Sequence, residues 1–315
     1  MDLSVIISTY NGAKKLPVIL NSLWRQTHKN FELLIVVDGS TDNTMKVLQE
    51  WRNKFPDFKI ISQQNKGRAA VRNTGVKNAK NELLLFFDDD LEVDENCIKD
   101  HIAYQTKTNF EDIFVGQILD EPIETNDNKE FIRYKKYLAK AWYNNKFRKE
   151  KRITENIFNG DYYMSGANFS LAKNIFNQLG GLDESLNRSE DFEFAIRAKA
   201  VGVKIILADK YATVIHKDNN NNFKDWIVKA RIGQINNAVV YAKDKIKFKE
   251  YGPPEKTIGN FIKRMIFRSL ANKFAYRFMV SDFRIKKIIP NLFLYKAYDL
   301  IIAANSKYYP ENVSV

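Results

Sequence analysis

Hydrophobic and polar positions alternate in long blocks through the first 115 residues. "LSVIISTY" (3–10), "FELLIVVDG" (31–39), "FKIISQ" (58–63) and "ELLLFFDDD" (82–90) are near-continuous apolar runs, which predict buried strands. Between them, "AKKLPVILNSLWRQ" sets Leu16, Ile19, Leu20 and Leu23 on one helical face. "TDNTMKVLQEWRNKF" predicts a second helix opening on Thr41 or Asp42, residue types that cap helices, and "GRAAVRNTGVKNA" predicts a third. Apolar strands alternating with helices imply an α/β fold whose mainly parallel sheet is covered on both faces. In such a sheet, ligands bind beyond the carboxyl ends of the strands.

Further along, "EFIRYKKYLAKAWYNNKFRKEKR" places Phe131, Tyr134, Leu138 and Trp142 at helical spacing, an apolar face suited to core packing. "YATVIH" predicts a strand ending at His216. From Phe223 the pattern turns helical, in "DWIVKARIGQINNAVVYAKDKIKF" and "IGNFIKRMIFRSLANKFAYRFMVSDFRIKKII", with Gly252, Pro253 and Pro254 breaking any helix between them. The expected organisation is a catalytic-type α/β region over 1–216, divided near residue 115, and a helical appendage over 217–315.

Composition narrows the classes. A chain of 315 residues with 44% hydrophobic content can bury a large core, which excludes disorder as its main theme. Cys97 is the only cysteine, so neither an internal disulfide nor a cysteine metal site is available. The start "MDLSVIISTYN" lacks the basic flank of a signal peptide, and no apolar run is long enough to predict a membrane span. The net charge of +12 is concentrated: residues 217–315 hold 19 Lys and Arg against 8 Asp and Glu. Arg133 to Arg152 adds a second basic stretch. Such segments suit nucleic acid, anionic lipid headgroups or an acidic substrate, or are simply a solvated surface.

The polar residues at the predicted strand ends carry the chemistry. Ser8, Thr9, Tyr10 and Asn11 end the first strand, Asp38, Gly39 and Ser40 the second, and Asp88, Asp89 and Asp90 the fourth. Three adjacent carboxylates disfavour one another's ionisation unless solvent or a cation relieves them. Neither G-x-G-x-x-G nor G-x-x-x-x-G-K-[ST] occurs, so phosphate must be held otherwise; Mg²⁺ or Mn²⁺ on carboxylate oxygens is the candidate. A nucleic-acid-binding protein would not need this acidic cluster. A nucleotidyltransferase would use it, but more often has a glycine-rich loop after the first strand, which "STYNGAKK" lacks.

"VIISTYNG", "VVDGSTDNT", "NKGRAAVRNTGVKNA", "FFDDD", "SGANFSLAK", "GGLDE" and "EDFEFAIRA", in that order over roughly 215 residues, resemble the landmarks of glycosyltransferase family 2. The resemblance implies a GT-A fold, with a Rossmann-like, mainly parallel central sheet flanked by helices. It implies a nucleotide-sugar-binding half over 1–115 and an acceptor half over 116–216. Thr9, Tyr10, Asn11 and Asp38 resemble donor-base contacts; Arg72 and the turn from Asn65 to Gly67 resemble the element closing over the nucleotide. The family's D-x-D motif maps onto Asp88 and Asp90, with Asp88 and Asp89 toward the donor, and Asp90 and His216 as metal ligands; the choice between Asp89 and Asp90 as principal ligand stays open. Asp191 resembles the general base, with Glu190 beside it and Ser189 as the expected helix cap. Gly166 and Asn168 are expected on the acceptor side. Lys217 could meet the diphosphate or be a solvated lysine, and "KDNNNN" could be a lid.

The implied activity is metal-dependent, inverting transfer of one sugar from a nucleotide-diphosphate sugar, UDP-sugar favoured, to a hydroxyl of a glycan or lipid-linked acceptor in surface polysaccharide synthesis. A processive synthase would more often carry Q-x-x-R-W, whereas Arg197 is followed by Ala198. The alternatives are a nucleotidyltransferase acting on sugar phosphates and a non-catalytic sugar-nucleotide-binding relative. The expected location is cytoplasmic, with peripheral contact to an anionic membrane open and no nucleic-acid partner.

Overall fold

The computed structural model describes residues 2–121, 129–146, 151–161, 163–186, 188–217, 223–243, 261–280 and 288–309. In chain order the first half gives β1 (Leu3–Thr9), α1 (Leu16–Trp24), β2 (Phe31–Asp38), α2 (Thr44–Trp51), β3 (Phe58–Gln63), α3 (Arg68–Asn78) and β4 (Leu83–Asp88). Then come β5 (Leu91–Val93), α4 (Cys97–Lys107), β6 (Ile113–Val115), β7 (Ile118–Asp120), α5 (Lys129–Lys146), β8 (Arg152–Thr154), β9 (Ile157–Asn159), β10 (Asn168–Ala172), α6 (Lys173–Gln178), α7 (Glu190–Ala200), β11 (Ile205–Ala208) and β12 (Val214–His216). The remainder is helical: α8 (Phe223–Lys243), α9 (Phe261–Leu270), α10 (Lys273–Val280) and α11 (Asn291–Ala303).

The chain divides into two compact units, Met1–Glu121 with Lys146–Asp218, and Pro122–Asn145 with Asn219–Val315. The sequence pattern places the boundary near 216; the structure also assigns most of α5 to the second unit. The physical reason is its apolar face. Phe131 and Tyr134 are fully buried among Phe223, Ile227, Met279, Leu294, Tyr298 and Ile301, and Tyr134 donates to Asp299 Oδ1 at 2.7 Å. The side chain of Trp142 lies outside the described set.

The first unit is a nine-stranded sheet in the order β3-β2-β1-β4-β10-β6-β11-β9-β8. Its β3-β2-β1-β4 half is parallel, as the apolar runs predict, whereas β10 runs antiparallel between β4 and β6. Alternate residues of the central strands feed two cores: Val5, Ile35 and Leu85 pack on one face with α1 and α4, and Ile6, Leu34 and Phe86 on the other with α3, α6 and α7. Phe86 stacks on Phe169 with ring centroids 4.4 Å apart. Truncating either ring would cost about 3–5 kcal/mol.

Two helix starts differ from the pattern. α2 begins at Thr44, because Asp42 uses its carboxylate to accept the backbone N–H groups of Thr44 and Ala13, tying the loop after β2 to that after β1. The long helical pattern after 258 breaks at Ala271–Asn272, where Asn272 Oδ1 accepts from Phe274 and Ala275 N–H and so opens α10 as a separate helix. Among the described residues no helix is long and apolar enough to cross a membrane.

Between α4 and the sheet lies a fully buried polar cluster. His101 Nε2 donates to Asn168 Oδ1 at 2.9 Å, which leaves Nδ1 to accept from Ser170 Oγ at 2.9 Å, so the imidazole is held neutral. Burial pushes its pKa down to about 4, with the Asn168 bond opposing only in part. Below 6.5 the unfolded chain takes up a proton that the folded state refuses until about pH 4, so stability falls with pH across that window. The full contribution is on the order of 3 kcal/mol. Urea denaturation of wild type and His101→Gln across this window should show a steeper acid loss in wild type; parallel curves would refute a neutral buried His101.

Candidate functional site

Parallel register delivers the polar ends of β1, β2 and β4 to one edge. Ser8 stands level with Asp88 and with Val36, and Asp38 ends β2 beside Gln63. Asp38 is buried and accepts from Gln63 Nε2 at 2.8 Å, Lys66 N at 2.9 Å and Gly67 N at 2.9 Å. The carboxylate therefore fixes the Asn65–Gly67 turn while leaving an acceptor position on Oδ2. Gly39 makes the close approach possible: its φ is +72°, and a Cβ there would lie 2.7 Å from Asn65 N. At the end of β1, Tyr10 is half exposed, and Asn11 Oδ1 accepts from Thr41 N at 2.8 Å.

The three aspartates have three environments. Asp88 pairs with Arg72 at 2.7 Å. Asp89 is buried, accepting from Thr9 Oγ1 at 2.7 Å and Lys15 Nζ at 3.2 Å; burial raises its pKa against these two partners. Thr9 and Asp89, both expected as donor contacts, are thus hydrogen-bonded to each other. Asp90 faces His216, with Nε2 3.3 Å from Oδ1, and Lys15 at 3.9 Å from Oδ2. Although burial opposes it, His216 and Lys15 hold the Asp90 pKa below its ordinary value.

A small sheet brings this pair together across the sequence. In β5-β12-β7, His216 is in register with Leu91, and Lys217 N donates to the Asp90 carbonyl at 2.8 Å. Lys217 Nζ is bound between Glu92 at 2.8 Å and Glu121 at 2.9 Å, so it pins this sheet and is not aimed at a diphosphate. The expected lid, apart from Lys217, falls at 218–222, outside the described residues.

Arg72 joins the two halves of the site. Its guanidinium, 3% exposed on the side chain, contacts Glu190 at 2.6 Å, Asp88 at 2.7 Å and the Gly166 carbonyl at 3.1 Å. Burial would lower its pKa, but the Asp88 and Glu190 charges win and raise it. Arg72, expected at the nucleotide, and Glu190, expected beside the base, thus form an internal ion pair. A Cβ on Gly166 would lie 3.1 Å from the guanidinium, so this position must be small.

Gly166 also reaches the acid next door. Its N–H donates to Asp191 Oδ2 at 3.1 Å, and Phe192 N donates to Oδ1 at 2.8 Å, in the first turn of α7. Asp191 is deeply surrounded yet retains some exposure; burial and the Glu190 charge raise its pKa despite these bonds and Arg72. Ser189, expected to cap this helix, sits at φ +65° and makes no capping bond. The helix is held instead at its far end, where Arg197 binds Glu193 at 2.6 Å and the Gly181 carbonyl at 2.8 Å. Asn168, expected on the acceptor side, is fully buried, donating to the Ala212 carbonyl at 2.8 Å and accepting from His101.

Lys15 is the residue that pattern reading missed. It precedes α1 and lays its ammonium on the aspartates, and its only signal is being a cation just beyond a strand end.

A divalent cation can be tested against these groups. Asp90 Oδ1 is a buried oxygen that meets no full hydrogen-bond partner, with His216 Nε2 3.3 Å away. Among the described residues, no group of three or more His, Cys, Asp or Glu side chains converges as a cation cage. Asp90 and His216 therefore fit Mg²⁺ or Mn²⁺ only with substrate or water oxygens completing the shell, the usual arrangement for small hard cations.

The chain resembles known proteins along this same frame. Residues 4–176 match the model of Glycosyl transferase family 2. An uncharacterised glycosyltransferase of Haemophilus influenzae is 29% identical over 201 residues, 62% of this chain and 61% of that protein. Two further curated relatives are spanned over only 28% and 25% of their lengths. Among solved structures, Staphylococcus aureus TarS 1–349 in complex with UDP-GlcNAc aligns with a TM-score of 0.54 at 18% identity, covering 100% of this chain and 93% of that one. The mannosyltransferase PcManGT of Pyrobaculum calidifontis, in complex with GDP-Man and Mn²⁺, aligns at 0.64 and 15%, covering 98% and 88%. These neighbours share the GT-A fold, and a family match reaching from β1 into α6, over more than half of the sequence, establishes that the chain belongs to glycosyltransferase family 2.

Proposed function

We propose that the protein is a metal-dependent inverting glycosyltransferase that moves one sugar from a nucleotide-diphosphate sugar, UDP-sugar favoured, to a hydroxyl of a glycan or lipid-linked acceptor in cytoplasmic assembly of a surface glycan. The observation that carries this reading is the chain of contacts Asp88–Arg72–Gly166–Asp191, which fixes a candidate base relative to the acidic end of β4. Tyr10, Asn11 and the Asn65–Gly67 turn around Asp38 would border the donor's nucleoside. Asp90 and His216 would hold the cation, which when bound neutralises charge on the leaving diphosphate.

In the transfer, the acceptor oxygen forms a bond to the anomeric carbon from the face opposite the diphosphate. The bond from that carbon to the diphosphate oxygen breaks, and the hydroxyl proton passes to an Asp191 oxygen. A raised pKa suits Asp191 to this, because a more basic carboxylate takes the proton more readily, provided the pH keeps it ionised. Burial and Glu190 tune the base; Arg72 keeps the Glu190 charge compensated. A non-catalytic binding relative would have no use for this tuning.

The donor is tested by thermal shift with UDP-, GDP-, dTDP- and CMP-sugars, each with Mn²⁺ or with EDTA. A UDP-sugar at ~100 times its Kd should raise Tm by roughly 5–10 °C. EDTA and Asp90→Ala should each remove most of that shift; a full shift in both would reject the cation site at Asp90.

Asp191→Asn should lower kcat by about 10²- to 10⁴-fold. The variant should stay folded with a Tm change of only a few degrees: it removes a carboxylate whose ionisation the fold disfavours, but turns an amide NH2 toward one of the N–H groups of Gly166 and Phe192. In wild type, kcat/KM should drop on the acid side at a pH above the ordinary carboxylate range. Near-normal turnover in Asp191→Asn would remove Asp191 from the mechanism.

A further inference from the structure

The second unit displays a surface that the transfer chemistry does not use. α9 is held to its unit along one side: the Phe267 ring lies 4.3 Å from that of Tyr308, and Leu270 packs against the aromatic cluster. At 3.6 residues per turn, Phe261, Ile262, Met265 and Ile266 fall on the other side, and they are 45–72% exposed. In α10 the same division recurs: Met279 is buried, while Phe274 is 82% exposed. Lys263, Arg264, Arg268, Lys273 and Arg277 accompany these apolar residues, and residues 261–280 contain no acid.

We propose that this face of α9, with Phe274, docks on an anionic bilayer surface. Large apolar side chains together with cations on one short helix match the two layers of such an interface, the acyl boundary and the charged headgroups. A second copy is a poorer occupant, since it would set the same five cations against these without a compensating acid in the segment. Nucleic acid would match the cations but would leave Ile262, Met265 and Ile266 without an apolar counterpart. The inference stands on the second unit alone and does not depend on the assignment of donor or base.

The test is sedimentation of the full chain with vesicles of phosphatidylcholine, or of phosphatidylcholine with phosphatidylglycerol, at low and high salt. Binding to the anionic vesicles should exceed that to neutral ones by at least about tenfold and weaken with salt. Phe261→Ser with Met265→Ser, and separately Arg264→Glu with Arg268→Glu, should each reduce it by about tenfold or more at unchanged Tm. Equal binding to both vesicles, or binding that survives both double variants, overturns the proposal. So does the absence of vesicle binding, whether alone, with a salt-sensitive nucleic-acid gel shift, or with a concentration-dependent dimer that Phe261→Ser with Met265→Ser abolishes.

Discussion

The candidate site depends first on one buried guanidinium. Arg72 is taken out of water and compensated by two carboxylates and a carbonyl drawn from β4, the loop before β10, and α7. Removing one partner of such a network leaves a buried charge unmatched, at about 3–5 kcal/mol. That penalty explains how segments 118 positions apart hold a common geometry. It also gives Glu190 a structural part: the acid completes the charge balance of Arg72, while its neighbour Asp191 keeps some exposure to solvent.

A second constraint is the division of labour among the aspartates after β4. Asp88 anchors the strand end to Arg72, and Asp89 closes the turn with Thr9 and Lys15. Asp90 is the member whose buried oxygen has no hydrogen-bond partner. The triplet is tolerated because its members face different partners, the Arg72 and Lys15 cations and the His216 imidazole. Like-charge repulsion, which makes the motif conspicuous in the sequence, is thus resolved by three separate pairings.

The two units use their aromatic content differently. In the first, rings such as Phe86 and Phe169 fill the sheet's faces and set the platform under the site. In the second, Phe131, Tyr134, Phe223 and Tyr298 form a core, and several remaining apolar side chains stand in solvent beside cations. α5 belongs to that core because two buried rings outweigh its position in the sequence between strands of the first unit.

By itself the sequence determined the parallel half of the sheet, the acidic edge and the family resemblance, since continuous apolar runs and like-charge clusters are local signals. The tertiary structure decided how those residues are spent. Thr9, Asn168, Arg72 and Lys217 each satisfy a partner far away in the chain, because buried polar groups must be paired and pairing is set by packing. Lys15 and the meeting of His216 with Asp90 were equally hidden, for they follow from a loop's direction and from β12 lying antiparallel to β5. Local pattern fixes which elements form; long-range register and charge compensation fix which side chains remain free to act.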